Sequence, residues 1–152
     1  MFEFNRRVLV YFAVDTDEVY MTTELKGKNT YFLPFNKGNN RGKGNPPVEG
    51  KEKTSYLWEE ILTKDSLLDI VKRFYFIEKD GTKDRRAIFP RFHQLDAVRK
   101  IVSDLKINKA GKNYLIQHSA GSGKTNTIAW TAHRLSSLHD ENNDAIFDSV
   151  IV

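Results

Sequence analysis

Nine residues constrain this chain most: Gln117-His118-Ser119-Ala120-Gly121-Ser122-Gly123-Lys124-Thr125. Two closely spaced glycines followed by a lysine and a hydroxyl have the make-up of a phosphate-binding loop. Such a loop needs backbone that turns tightly enough for successive N–H groups to converge on an anion. It needs a helix start, whose partial positive charge adds to that of the lysine. It also needs a hydroxyl that can reach a magnesium ion. Gly121 and Gly123 supply the turn, Lys124 the charge and Thr125 the metal ligand, with Ser122 between the glycines. His118 stands where the first glycine of G-x-x-x-x-G-K-[ST] is usual; it is read as a packing or hydrogen-bonding residue. The apolar run Tyr114-Leu115-Ile116 before the loop predicts a strand, and Thr125 to Leu138 after it predicts a helix.

Upstream, Ile88-Phe89-Pro90-Arg91-Phe92-His93-Gln94 precedes a helical pattern in which Ala97, Val98, Ile101, Val102 and Leu105 recur. A glutamine amide both donates and accepts, matching the adjacent N7 acceptor and N6 donor of adenine. Gln94 is therefore read as an adenine clamp, with Phe89 or Phe92 to stack on the base. Residues 108–113 (NKAGKN) predict a glycine-terminated helix end, and residues 147–152 (FDSVIV) a second strand. One helix and two strands cannot bury the core of a parallel sheet, so the chain reads as a piece of a longer protein.

The first half has a different character. Residues 8–14 and 19–23 are β-branched and aromatic runs separated by Asp15-Thr16-Asp17-Glu18, a hairpin signature. Residues 27–54 hold five of the nine glycines and three of the four prolines, which excludes a helix or central strand. Within this loop, Tyr31-Phe32-Leu33-Pro34-Phe35 is apolar enough to require a neighbour. Residues 26–53 carry seven Lys or Arg and two acids, a local excess beyond the chain's net +4. Such an excess suits a polyanion, with Lys37, Arg41 and Lys43 as candidate DNA contacts; a solvated basic face is the alternative. Short helices are expected at 55–62 and 64–76, the latter capped by Asp65 or Ser66. Leu67, Leu68, Ile70, Val71 and Phe74 should lie near one face. The charged stretch 78–86 is expected to mark a domain boundary. The chain lacks cysteine and any apolar run long enough to span a membrane.

These stretches carry a resemblance. IFPRFHQLDAVRKI (88–101) followed by NYLIQHSAGSGKTNTIAW (113–130) is similar to the opening of a superfamily 2 helicase-type motor. VYMTTELKGKNTYFLPFNKGNNRGKGNPP (19–47) and TSYLWEEILTKDSLLDIVKRF (54–74) resemble the restriction (R) subunit of type I restriction–modification enzymes. The resemblance implies an α/β fold: residues 1–80 as the end of a nuclease-like α/β domain and its linker, and 85–152 as the start of a RecA-like P-loop lobe with a parallel sheet. It implies ATP and Mg2+ held by Gln94, Arg91, Gly121, Ser122, Gly123, Lys124 and Thr125, with magnesium reached through Thr125. The partners implied are double-stranded DNA and the methyltransferase (M) and specificity (S) subunits, in the cytoplasm and away from membranes. In such a subunit ATP hydrolysis pulls DNA, and cleavage follows far from the recognition site. Glu24-Leu25-Lys26 has the E-x-K spacing of a nuclease magnesium site. The resemblance places the nuclease residues upstream of this stretch, however, so Glu24 and Lys26 are read as a chance match and no catalytic residue is expected in the chain. The acidic turn Asp140–Asp144 follows a helix and is not the water-activating Asp-Glu box, which is expected beyond Val152 together with a second-lobe arginine. Alone, the chain is expected to bind ATP poorly and not to hydrolyse it. The competing readings are a non-catalytic nucleic-acid-binding module and another superfamily 2 helicase or repair protein.

Overall fold

A computed structural model describes residues 8–40, 42–79 and 85–152. The described residues are mixed α/β with two small sheets, and the chain divides into two compact units at His93/Gln94.

In the first unit, β1 (Tyr11–Val14) and β2 (Val19–Thr22) form the expected antiparallel hairpin, registered from Tyr11 opposite Thr22 to Val14 opposite Val19. Asp15 makes its turn, accepting the Asp17 and Glu18 amides on Oδ1 at 2.7 and 2.8 Å, as aspartate does in tight turns. A two-residue strand, β3 (Leu33–Pro34), adds to β2. The apolar island of the long loop docks there through Phe35, which is fully buried and meets Phe12 and Phe92 edge-to-face at 5.3 and 5.9 Å. Phe12 meets Phe89 in the same way, and Tyr56 meets Phe92. Edge-to-face pairs let positive ring edges rest on negative faces.

The long loop is irregular, but its backbone is satisfied. Asn45, 4% exposed, accepts the Lys37 amide and donates to the Asp17 carbonyl and to Asn36 Oδ1. Asn36 Oδ1 in turn accepts the Val19 amide at 2.8 Å. Two asparagines thus replace ladder bonds that a glycine- and proline-rich chain cannot form.

The helix expected at 55–62 is a π-helical turn, Leu57–Ile61, closed by the Leu62 amide on the Leu57 carbonyl. α1 spans Lys64–Arg73. Its N-cap is Thr63 rather than Asp65 or Ser66; the helix starts earlier, and Asp65 falls in the first turn, facing the positive helix end. Ile70 and Phe74, one turn apart, are fully buried, whereas Leu68 is 59% exposed and Leu67 and Val71 are also exposed. The buried stripe is therefore narrower than the apolar one. β4 (Phe76–Lys79) and β5 (Arg85–Ile88) pair antiparallel, so the charged stretch 78–86 holds the facing ends of two strands.

α2 (Phe92–Asn108) starts in the first unit and, in the second, buries Leu95, Val98, Ile101, Val102 and Leu105. It ends with Lys109 in left-handed backbone at φ 55° rather than at Gly111; the Lys109 amide closes the last turn on Leu105. α3 runs Lys124–Ser136 and buries Trp130. The predicted strands 114–116 and 147–152 do not form, and both sheets among the described residues are antiparallel. Leu115 is 92% and Ile151 95% exposed. A parallel strand draws its hydrogen bonds and burial from neighbours, and the described residues supply none. No helix among them is long and apolar enough to cross a membrane.

Replacing Phe35 by Ala should cost about 3–5 kcal/mol in denaturant unfolding. Tyr31→Ala, at a side chain 76% exposed in the same island, should stay within about 0.5 kcal/mol.

Candidate phosphate-binding loop

The loop lies wholly in the second unit. Gly121 and Gly123 take φ of 70° and 81°, a left-handed region that residues with a Cβ enter at a cost. Gly123 is the N-cap of α3, and no side chain caps that helix. The helix start therefore keeps its electropositive amide end. Lys124 is the first residue of α3 and is exposed. Its ammonium donates to the Ser119 carbonyl at 3.0 Å and the His118 carbonyl at 3.5 Å, curling over the loop. Thr125 follows, also exposed, whereas Ser122 is 6% exposed. Partial burial holds the His118 imidazole below its usual pKa, and the Lys124 ammonium adds to the effect.

Gln94 is 3% exposed. Its amide nitrogen donates to the Gly123 carbonyl at 2.8 Å and to the Ser122 carbonyl at 3.3 Å. The residue predicted to face adenine is thus joined to the candidate loop itself. Arg91 is half-buried and belongs to the first unit; its link to a nucleotide rests on sequence.

The approach to the loop has an anchor that the sequence reading missed. Asp104 on α2 accepts from Tyr114 Oη at 2.6 Å, from Asn108 Nδ2 at 2.7 Å and from Lys112 Nζ at 3.3 Å. The Tyr114 bond and the neighbouring donors hold its carboxyl below the usual range. The four-residue spacing of Asp104 and Asn108 was a visible clue; the return of Tyr114 was not. Beyond α3, Asp140 accepts the Asp144 and Asn142 amides and pairs with Lys109 at 3.2 Å. These contacts make residues 140–144 a closed turn.

The basic loop is largely neutralised. Lys26 pairs with Glu24 at 3.0 Å, Lys37 with Glu60 at 2.6 Å, Lys51 with Glu59 at 2.8 Å and Lys53 with Asp17 at 2.5 Å. Lys37 also lies over the Tyr56 ring, 5.0 Å from its centroid. Lys43 is exposed, and Arg41 lies outside the described residues. Glu24 and Lys26 face each other, and no group of three His, Asp or Glu among the described residues could hold a metal.

Residues 87–149, which include the loop, match the family described as "Type III restriction enzyme, res subunit". The chain is 34% identical over 88 residues to a protein from Methanocaldococcus jannaschii named as the endonuclease subunit of type I restriction enzyme MjaVIIIP. That match covers 55% of this chain and 8% of the relative. Both likenesses are to subunits of restriction enzymes, the class that the resemblance named. No solved structure matches the chain.

The two glycines differ in their surroundings. A Cβ on Gly121 would meet nothing within 4 Å, whereas one on Gly123 would lie 2.5 Å from Gln94 Nε2. Gly121→Ala should cost about 1–2 kcal/mol through backbone strain alone. Gly123→Ala should cost visibly more in the same denaturant titration, because it also displaces the Gln94 amide.

Proposed function

We propose that this chain is the ATP-binding portion of the DNA-translocating, DNA-cleaving subunit of a type I restriction system. The observation that carries the reading is the junction at Gly123–Lys124. Left-handed glycines turn the backbone into an uncapped helix start, and an exposed lysine is paired with no carboxylate among the described residues. Every ingredient there favours a multiply charged anion.

The residues fit a nucleoside triphosphate with magnesium. Amide hydrogens at the head of α3 would bind the phosphates. Lys124 would leave the Ser119 and His118 carbonyls, uncharged acceptors that hold it at 3.0 and 3.5 Å, and set its charge against the outer phosphates. Thr125 would offer its hydroxyl to the metal. Bound ATP would supply the energy of phosphoanhydride hydrolysis; this chain's part is to hold it, orient it and balance its charge. Arg91 and the adenine-facing role of Gln94 belong to the same proposal. Residues 1–80 would be the end of the nuclease domain with its linker, and 85–152 the start of the first RecA-like lobe. Double-stranded DNA and the M and S subunits would be partners, in the cytoplasm. Hydrolysis, translocation and cleavage are proposed of the complete subunit, since the chain spans only 8% of the curated relative.

The reading as a stand-alone nucleic-acid-binding module draws less support. Four of the lysines on which it depends already face carboxylates. Lys43, with Arg41, remains the candidate DNA contact on that loop.

Lys124→Ala in the complete subunit should lower ATPase activity at least about 100-fold and abolish translocation, measured by phosphate release and by displacement of a triplex on linear DNA. Translocation that persists in the variant would overturn the assignment.

A further inference from the structure

Gln94 does something that recognition of a base does not require. Both oxygens facing its amide nitrogen are backbone carbonyls, at 2.8 Å (Gly123) and 3.3 Å (Ser122). Carbonyls only accept, so the NH2 group of the glutamine must be turned toward the loop. The Gly123 carbonyl also accepts the Thr127 amide at 3.3 Å, the bond that opens α3. Gln94 therefore holds the peptide that joins loop to helix.

The consequence follows from peptide geometry. The chain has no cis peptide bonds among its described residues, and in a trans peptide the C=O and N–H point in opposite directions. The Ser122 carbonyl shares its peptide plane with the Gly123 N–H, and the Gly123 carbonyl shares its plane with the Lys124 N–H. Drawing both carbonyls toward Gln94 turns both amide hydrogens away from it. These are the hydrogens at the start of α3, where an anion would sit. A Cβ at position 123 would fall 2.5 Å from the amide nitrogen, so a side chain there would push the Gln94 amide off these carbonyls. The glutamine and the second glycine form an interlocking pair.

We propose that Gln94 is a positioning residue for the phosphate loop, aiming the Gly123 and Lys124 amides at phosphate whatever base the ligand carries. This inference rests on the phosphate-binding reading above. It differs from adenine recognition in one measurable respect: a ligand without a base should feel the glutamine as strongly as one with a base.

The test uses the complete subunit and two probes, Mg2+–tripolyphosphate and Mg2+–ATP, titrated calorimetrically against wild type, Gln94→Glu, Gln94→Leu and Lys124→Ala. Gln94→Glu keeps the shape but sets an acceptor against two carbonyls; Gln94→Leu removes the donors. Each Gln94 variant should weaken tripolyphosphate roughly tenfold, and ATP by at least that factor. Amide hydrogen exchange should accelerate at Gly123 and Lys124 while residues 98–105 of α2 keep their protection, which separates a loosened loop from an unfolded chain. If tripolyphosphate binding is unchanged in both Gln94 variants but lost in Lys124→Ala, the loop binds phosphate and the positioning role is overturned. If wild type binds neither probe, or Lys124→Ala binds both as wild type does, the phosphate reading fails and the positioning role with it.

Discussion

A glutamine amide held against two backbone carbonyls is the contact on which the second unit's site depends. Polar groups this deeply buried must be paired, because an unmade hydrogen bond in the interior costs far more than a made one gains. Gln94 can reach the Ser122 and Gly123 carbonyls only because α2 is seated by its own apolar residues, Leu95, Val98, Ile101, Val102 and Leu105. The helix thus acts as a splint: its first turn holds the loop and, through Asp104, its last turns hold the residues leading into the loop. Burial supplies the driving force, and the hydrogen bonds supply the direction.

The first unit solves a different problem. Its long glycine- and proline-rich stretch has little capacity for regular structure, yet its backbone must be satisfied wherever it is covered. Asn36 and Asn45 do this from inside, and Phe35 pins the stretch to the aromatic cluster. The lysines of the same stretch close onto Glu24, Glu59, Glu60 and Asp17. Those pairs are largely in water, where screening leaves them little net worth. Their larger effect is to remove the local charge excess that suggested a polyanion-binding face.

Legibility in the sequence followed the range of the forces involved. The β1–β2 hairpin was visible because alternation of apolar residues and an aspartate turn are local signals. α2 and α3 were visible because their periodicity is local too. The tight turn and the helix start after it were visible because closely spaced glycines followed by a helical pattern are local signals as well. What could not be read were pairings between distant residues: Tyr114 on Asp104, Lys37 on Glu60, and Gln94 on Gly123 across 29 positions. The strands expected at 114–116 and 147–152 are the converse case. Their sequence is strand-like, but a parallel strand exists only when neighbours complete its hydrogen bonds, and Leu115 and Ile151 remain in solvent.

By itself, then, the sequence determined the hairpin, the tight turn and the helices on either side of it, since these follow from residue types within a few positions of one another. The tertiary structure decided which way those groups face. It directed the Gln94 donors onto the phosphate loop and the basic loop's lysines onto carboxylates. The orientation of a polar side chain is set by the partner that relieves its desolvation, and that partner is chosen by packing rather than by proximity along the chain.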